Sequence, residues 1–334
     1  MAEKPEGSAE DRLIARYFRP LASHPGALGL ADDAAILVPP PGCDLVLKAD
    51  AIIGGVHFFS EDPAAAVARK ALRVNLSDLA AKGASPVGFL LSLALPDGTS
   101  EAWLEGFAEG LRADAQLYRC PLLGGDTDRT PGPAMVSIAA FGTVPHGGMV
   151  RRSGAKPGDG VFVSGTIGDA ALGVRLRREP ALAVHYRLEP GEGDHLLARY
   201  LVPEPRVALA EAVRLHASAA MDVSDGLAGD LAKLCGASGV SAEIEVEKLP
   251  LSSAASRAVA ADAGAQEIAL TGGDDYEIVC AIPANAREAF RAAALAAGVA
   301  VTEIGRIVAG DTAPQFRDRH GHVLEFARPS FSHF

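Results

Sequence analysis

The chain has 334 residues, of which 49% are hydrophobic and 22% charged, and its formal net charge is −11. This balance excludes a disordered chain, and the length is sufficient for two domains with a core each. The acidic charge argues against a nucleic-acid-binding surface. An acidic protein that binds phosphates needs metal ions or a few placed cations at its site.

Neither a membrane span nor a secretion signal is expected. The most apolar stretch, Phe89 to Leu95, is far shorter than the roughly 20 residues that cross a bilayer. The charged first residues, Met1 to Gly7, lack the apolar segment of a signal peptide. Four widely spaced cysteines, none in a Cys-x-x-Cys pair, predict reduced thiols rather than disulfides or a zinc site. We therefore expect a cytoplasmic protein with no membrane partner.

Predicted helices and strands alternate along both halves of the chain. In the first half, they are a helix over 11–18, strands over 34–38 and 44–50, a helix from Pro63 to a stop at Gly83, a strand over 89–95, a helix over 101–117 and a strand over 135–144. In the second half, they are a strand over 161–164, a helix after it, a helix over 206–216, a strand over 220–223, a helix over 226–235, a strand over 278–282, a helix over 286–297 and a strand over 301–304. A hinge at 145–148 separates the halves, so the pattern predicts an α/β or α+β protein with domains 1–147 and 148–334.

Six short motifs that contain aspartate punctuate this pattern. They are Asp32-Asp33-Ala34-Ala35, Lys48-Ala49-Asp50, Asn75-Leu76-Ser77-Asp78, Gly124-Gly125-Asp126-Thr127, Asp222-Val223-Ser224-Asp225-Gly226 and Gly272-Gly273-Asp274-Asp275-Tyr276-Glu277. A single aspartate near glycine is more often a cap or turn residue than a functional group. Asp225 fits a helix cap, and for Asp169 we keep that structural interpretation.

Two of the aspartates are harder to explain as caps. Asp78 falls inside a predicted helix, on one stripe with Asn75, where an apolar surrounding would require a partner such as a metal ion. Asp50 shares a strand face with Lys48, because alternate side chains of a strand point to the same side.

Clustered aspartates and glycine-rich turns suit Mg²⁺-bridged phosphate binding and phosphoryl transfer. The sequence has no Gly-x-x-x-x-Gly-Lys-[Ser/Thr] segment, which excludes a P-loop enzyme, and no Rossmann fingerprint that opens a helix. From the residues alone, the prediction stops at an enzyme that uses metal and phosphate.

Taken in order, the motifs resemble the thiamine-monophosphate kinase family, in the superfamily that includes aminoimidazole ribonucleotide synthetase. The most specific pieces are Val74–Ala81, Gly124–Thr127, Arg152–Asp159 and Asp222–Leu227. The resemblance covers nearly the whole chain. It implies a two-domain aminoimidazole ribonucleotide synthetase-like fold, in which the N-terminal domain pairs its sheet in a homodimer with ATP near the interface and the C-terminal domain is α/β.

The resemblance also implies the roles of individual residues. The implied Mg²⁺ ligands, for several ions, are Asp33, Asp50, Asp78, Asp126, Asp222 and Asp225. The implied ATP contacts are Gly125, Asp126, Arg152 and Ser224. The implied contacts to thiamine phosphate are His57 and Asp274, with Phe326 or Phe331 over its rings, although apolar packing explains either phenylalanine equally well. The implied reaction is direct transfer of the γ-phosphoryl group of ATP to thiamine phosphate, without a general base.

The chain departs from the family pattern in four places. Ala31 stands where Gly is expected, Asp274 where Glu is expected, and serines replace Gly and Asp in the tail 329–334. Lys48-Ala49 replaces two hydroxyl residues. Our hypothesis is that the Lys48 ammonium occupies the place of one Mg²⁺ beside Asp50, with extension into solvent as the alternative.

Two other functions remain open at this point. One is another synthetase of the same superfamily, although no reactive N-terminal cysteine motif or Cys-bearing tail is present. The other is a non-catalytic protein that binds nucleotide or thiamine phosphate, against which the six aspartates argue, because a simple binder has little need of so many carboxylates.

Overall fold

The computed structural model describes residues 8–328 and 330, which form two compact units. The first contains the residues up to Leu76 and Pro86–Pro145, and the second contains Ser77–Ser85 and the residues from His146 onward. Both units combine helices with a sheet, which confirms the predicted mixed class.

The first unit is built on a four-stranded sheet with the strand order β1-β4-β2-β3. The strands are β1 (Cys43–Ile53), β2 (Ser85–Pro96), β3 (Leu122–Thr130) and β4 (Met135–Pro145). β1 pairs with β4 in antiparallel register, and β2 pairs with β3 in parallel register. The α-helices that begin in this unit are α1 (Ala9–Leu13), α2 (Ala64–Ala81) and α3 (Glu101–Leu117).

Local sequence explains where these helices begin and which side they bury. The Ser100 hydroxyl caps α3 by accepting the N–H of Trp103 at 3.1 Å, as serine does at helix N-termini. Leu104, Phe107 and Leu111 recur at helical spacing and are buried. α2 follows Pro63, a residue favoured at helix starts.

The second unit contains a six-stranded sheet with the order β10-β7-β9-β5-β8-β6. Its strands are β5 (Gly160–Ser164), β6 (Ala219–Val223), β7 (Ser241–Glu245), β8 (Glu277–Ile282), β9 (Val301–Val308) and β10 (Gln315–Arg317). Its helices are α4 (Asp169–Arg178), α5 (Leu182–His185), α6 (Glu192–Leu201), α7 (Ala210–His216), α8 (Leu227–Ser238), α9 (Ser253–Ala261), α10 (Ala263–Thr271) and α11 (Arg287–Ala296). β5, β8 and β6 pair in antiparallel register and are buried along their whole length, so this sheet is the centre of the unit.

Three sequence predictions need correction. Residues 34–38, predicted as a strand, form no regular element, and Ile36 and Val38 are exposed. The helix predicted over 206–216 becomes α-helical only at Ala210, after a short 3₁₀ turn. The helix predicted over 11–18 is α1 followed by a π-helix over Ile14–Phe18.

All four cysteines are free thiols, and three of them are buried. Burial raises the pKa of Cys120 to about 12, so this thiol is held in its unreactive, protonated form. Across residues 8–328 and 330, no helix combines the length and apolar character that a membrane span requires.

Candidate active site

A cavity of about 670 Å³ in the first unit lies beside three of the predicted site residues. Asp33 reaches it from the segment before β1, and Gly125 and Asp126 reach it from β3. The rest of its wall is largely apolar and includes Leu45 and Leu47 of β1. Small-molecule sites have volumes of this order and combine apolar walls with a few placed polar groups.

The chain at position 125 has room only for glycine. A Cβ atom there would lie 1.8 Å from the carbonyl oxygen of Leu91 on β2, far inside van der Waals contact. A bulge in the β2–β3 pairing lies next to this close approach. Asp126 follows within β3, rather than in a turn, and its exposed carboxylate accepts the N–H of Thr127 at 3.0 Å. Gly125 thus lets the two backbones meet while Asp126 faces the cavity.

Lys48 and Asp50 form an ion pair on one face of β1. The Lys48 Nζ lies 3.1 Å from Oδ2 of Asp50, which confirms the shared strand face. The N–H of Asp50 is held by the buried side chain of Asn75, whose Oδ1 accepts it at 2.9 Å and whose Nδ2 donates to the Ala71 carbonyl at 3.0 Å. Asn75 therefore fixes the Asp50 backbone against α2.

The ring of His57 is fixed by its own loop. Its Nδ1 accepts the N–H of Ile53 at 3.0 Å, which assigns the ring proton to Nε2. The carbonyl of His57 accepts a hydrogen bond from Lys70 Nζ at 2.9 Å, and Lys70 is only 2% exposed. Both contacts belong to the first unit and hold the loop between β1 and α2.

In the second unit, two of the aspartate motifs lie side by side. Asp222 is buried on β6. Past the end of this strand, the carbonyl of Ser224 accepts the N–H of Asp274 at 2.9 Å, and the carbonyl of Val223 accepts the N–H of Tyr276 at 2.8 Å. The structure thus brings the proposed ATP contact Ser224 to the proposed substrate contact Asp274.

Asp225 does not cap α8, contrary to the cap interpretation. The N-cap position belongs to Gly226, with no side-chain cap bond, and Asp225 instead pairs with Lys233. The backbone N–H groups of Ser224 and Asp225 are instead accepted by Asp230, a residue that the motifs did not single out. An aspartate in the first turn of a helix is the signal that could have identified it.

Lys233 of α8 compensates the charge of both Asp230 and Asp225. Burial raises the pKa of the Asp230 carboxyl, and the hydrogen bond from Lys233 opposes this effect. Burial alone would lower the pKa of Lys233, but its hydrogen bonds to Asp225 and Asp230 outweigh burial and raise it. The lysine therefore stays charged between two carboxylates.

The turn at Asp274 is held by the buried side chains of the residues that follow it, Asp275 and Glu277. Asp274 itself has a left-handed φ of 74°, a conformation that costs energy for a residue other than glycine. Asp275 is fully buried, and its Oδ2 accepts the N–H of Gly168 at 2.8 Å. Burial raises its pKa well above the ordinary value. Glu277 is also buried and forms ion pairs with Arg199 and Arg206.

The remaining predicted residues have varied surroundings. Arg152 is exposed, and its carbonyl accepts the Ser238 hydroxyl at 3.0 Å. Asp78 is half-buried in the last turn of α2. Phe326 is half-buried, with its ring edge-on to Phe316 at 5.4 Å between centroids. Phe331 lies outside the described residues.

Asp169 keeps its structural interpretation. Its side chain is buried and forms hydrogen bonds with Thr166, His195 and Ser252.

The donors available at these positions are carboxylate oxygens, which suit Mg²⁺ better than softer metals. Within the described part of each unit, no three His, Cys, Asp or Glu side chains converge on one point. Mg²⁺ commonly uses one or two carboxylates and completes its shell with phosphate oxygens and water. Exposed aspartates at a cavity wall, such as Asp33 and Asp126, fit that mode of binding.

Comparison with known proteins identifies the family. Residues 31–144 match the AIR synthase related protein, N-terminal domain, and residues 156–314 match the AIR synthase related protein, C-terminal domain. The chain is 49% identical to the thiamine-monophosphate kinase of Caulobacter vibrioides over 302 residues, which cover 89% of this chain and 84% of that protein.

Solved structures show the same likeness. The thiamine-monophosphate kinase of Stenotrophomonas maltophilia K279a is 40% identical, with a TM-score of 0.82 over 96% of this chain and 98% of the other. The structure of AaThiL complexed with AMPPCP and TMP is 32% identical, with a TM-score of 0.75 over 91% of each chain. Two domain matches and high identity over most of the length lead to one conclusion: the chain belongs to the AIR synthase related proteins and, within them, to the thiamine-monophosphate kinase family.

Proposed function

We propose that this protein transfers the γ-phosphoryl group of ATP to thiamine phosphate, which yields ADP and thiamine diphosphate. The observation that carries the proposal is the 49% identity to a thiamine-monophosphate kinase over 89% of the chain. The cavity lined by Asp33, Gly125 and Asp126 supports it, because these residues come from two of the motifs on which the resemblance rests.

ATP is the co-substrate in this proposal. Its contacts are Gly125 and Asp126 in the N-terminal domain, 1–147, and Arg152 and Ser224 in the C-terminal domain, 148–334. AMPPCP is present in the AaThiL complex, which supports a nucleotide site in this chain. Arg152 supplies a permanent positive charge for a phosphate oxygen.

Several Mg²⁺ ions complete the proposed site. The residues that would hold them are Asp33, Asp50, Asp78, Asp126, Asp222 and Asp225. When bound, the metal would supply neutralisation of the charge on the two phosphates that must approach each other.

Thiamine phosphate is the proposed acceptor, and TMP is present in the AaThiL complex. His57 would offer its Nε2–H to the acceptor phosphate, and Asp274 would contact the thiamine, with Phe326 or Phe331 over its rings. The attacking oxygen is already anionic, so no side chain needs to remove a proton from it. The residues of the site therefore act by orientation and charge compensation rather than by acid–base chemistry.

Lys48 takes the place of one Mg²⁺ beside Asp50 in this proposal. The 3.1 Å ion pair supports that role, since a fixed ammonium offsets the carboxylate without an ion from solution. The variant Lys48→Thr should bind one more Mg²⁺ per subunit in an ATP-analogue complex, counted from a crystal structure of that complex. Equal ion counts in both proteins, with Lys48 turned away from Asp50, would end the idea.

We also propose that the protein is a cytoplasmic homodimer that pairs its N-terminal sheets. The outward face of the edge strand β1 supports this assembly, because Leu45 and Leu47 are exposed there beside the cavity. Apolar side chains on an edge strand favour contact with a second copy.

Two alternatives give different products. Another synthetase of the superfamily would consume ATP without making thiamine diphosphate, and a non-catalytic binder would consume none. The test is to incubate the protein with ATP, Mg²⁺ and thiamine phosphate and to quantify both products. Equal amounts of thiamine diphosphate and ADP support the kinase, and each alternative predicts the absence of thiamine diphosphate.

A further inference from the structure

A buried carboxylate outside the proposed ligand set lies directly beneath the Ser224-Asp225 turn. Asp230 of α8 is 0% exposed. Its Oδ2 accepts the N–H of Ser224 at 2.9 Å and the N–H of Asp225 at 2.8 Å. Its Oδ1 accepts Nζ of Lys233 at 2.8 Å. Every contact is charge-assisted, and such bonds are roughly twice as strong as neutral ones.

The backbone of Ser224 connects the proposed nucleotide contact to the proposed thiamine contact within the second unit. Its N–H is held by Asp230, and its carbonyl holds the N–H of Asp274 at 2.9 Å. The two backbones are in close contact, because a Cβ atom at Gly273 would lie 2.5 Å from the Ser224 carbonyl oxygen. A shift of the Ser224 backbone therefore moves the proposed nucleotide contact Ser224 and the proposed thiamine contact Asp274 together.

Lys233 completes this arrangement from the next turn of the same helix. It contacts Asp230 and Asp225 at once, so it links the buried carboxylate to the exposed one. Backbone N–H groups, an ammonium and two carboxylates thus fix the direction in which Asp225 leaves the turn.

We propose that Asp230 is a positioning residue for phosphoryl transfer: it fixes the Ser224-Asp225 turn and, through the Ser224 carbonyl, the location of Asp274. This inference rests on the proposed function for its substrates, but not for its geometry. Loss of the hydrogen bonds from the Ser224 and Asp225 N–H groups to Asp230 should lower kcat more than it raises the KM of either substrate. Both substrates still bind, but their placement relative to each other is lost.

The test compares Asp230→Asn with Asp159→Asn in the full-length protein. Asp159 is a matched control in the same unit, because it is also buried and accepts the Lys156 N–H at 2.9 Å and the Ser218 hydroxyl at 2.6 Å. We expect Asp230→Asn to lower kcat by about 10- to 100-fold. The control should retain kcat within about twofold once folded protein is counted.

A second substitution guards against simple misfolding. In Asp230→Asn the new amide N–H₂ faces the Lys233 ammonium, and two donors repel. The double variant Asp230→Asn, Lys233→Gln offers an amide oxygen to that N–H₂. Its kcat should be at least about threefold higher than that of Asp230→Asn alone. Hydrogen exchange of residues 222–230, measured by mass spectrometry, should quicken in the single variant and slow again in the double variant.

An unchanged kcat in Asp230→Asn, or an equal loss in the Asp159→Asn control, would overturn the inference. Hydrogen exchange of residues 222–230 separates it from the proposed function, since exchange needs no turnover. If the wild-type protein makes no thiamine diphosphate, the proposed function fails. In that case the contacts of Asp230 with the Ser224 and Asp225 N–H groups still predict faster exchange of these residues in Asp230→Asn than in Asp159→Asn, and equal exchange would refute the inference.

Discussion

Two lysines of this acidic chain each contact a carboxylate that is proposed to bind Mg²⁺. Lys48 pairs with Asp50 in the first unit, and Lys233 pairs with Asp225 in the second. Neighbouring carboxylates repel one another. In each unit the ammonium group offsets part of the negative charge of its aspartate before any metal binds.

The buried carboxyl of Asp275 should make stability depend on pH. Its pKa in the folded protein is raised, chiefly by burial, above the ordinary value of 3.8. Above pH 3.8 the folded protein therefore holds this proton while the unfolded chain has lost it, so stability falls as pH rises towards the raised pKa. Asn has nearly the same shape and does not ionise.

The measurement is urea unfolding of the wild-type protein and Asp275→Asn between pH 5 and 8. The unfolding free energy of wild type, relative to the variant, should decline by up to about 1.4 kcal/mol per pH unit. A difference that stays constant over this range would mean that Asp275 is ionised in the folded protein.

At the scale of single elements, the sequence predicted the bounds of helices and strands correctly where apolar residues recur with a clear period. The predicted bounds of α3 agree with the structure, and those of β4 differ by one residue, because their buried residues recur at clear helical or strand spacing. β3, β7 and β10 were missed. The Gly124-Gly125-Asp126 segment of β3 is typical of a turn rather than of a strand. β7 carries two glutamates among its five residues and β10 has only three residues, so neither contains an apolar run. Residues 34–38 have a strand-like sequence but find no partner strand in the described part of this chain.

The candidate site was predictable to a similar degree. The alternation along β1 was sufficient to pair Lys48 with Asp50, since a strand determines which side chains share a face. The position of Asp230 in the first turn of α8 was a usable sequence signal. The N–H groups that it accepts could not be predicted, because they depend on how the irregular turn before α8 folds back, which helix or strand periodicity does not describe.

The exposed face of β1 carries a prediction about assembly. Leu47 is 66% exposed, so Leu47→Glu should leave the fold of the subunit intact while it introduces a charge into the proposed dimer interface. We expect sedimentation velocity to show a dimer for wild type and a monomer for this variant at micromolar concentration. Leu295→Glu is the matched control, because Leu295 is 81% exposed on α11 and should leave the dimer unchanged. A dimeric Leu47→Glu protein would rule out this face as the interface.

At the scale of the whole molecule, the proposed chemistry draws on both units. Asp33, Asp50 and Asp126 belong to the first unit, and the remaining proposed metal ligands belong to the second. The residues alone predicted an enzyme of metal and phosphate, and the order of the motifs predicted the family. That family is confirmed by the relatives, while the ligand set and the metal remain predictions.

The most direct test of the proposed reaction follows the phosphoryl group itself. The protein is incubated with γ-labelled ATP, Mg²⁺ and thiamine phosphate, beside the variants Asp126→Asn and Asp128→Asn. Both aspartates are exposed on β3, and each accepts the N–H of the next residue, so they form a matched pair. We predict that label appears in thiamine diphosphate in equal amount to ADP, that Asp126→Asn loses at least about 100-fold of this activity, and that Asp128→Asn retains most of it. A folded, nucleotide-binding wild-type protein that leaves thiamine diphosphate unlabelled would contradict the proposed function.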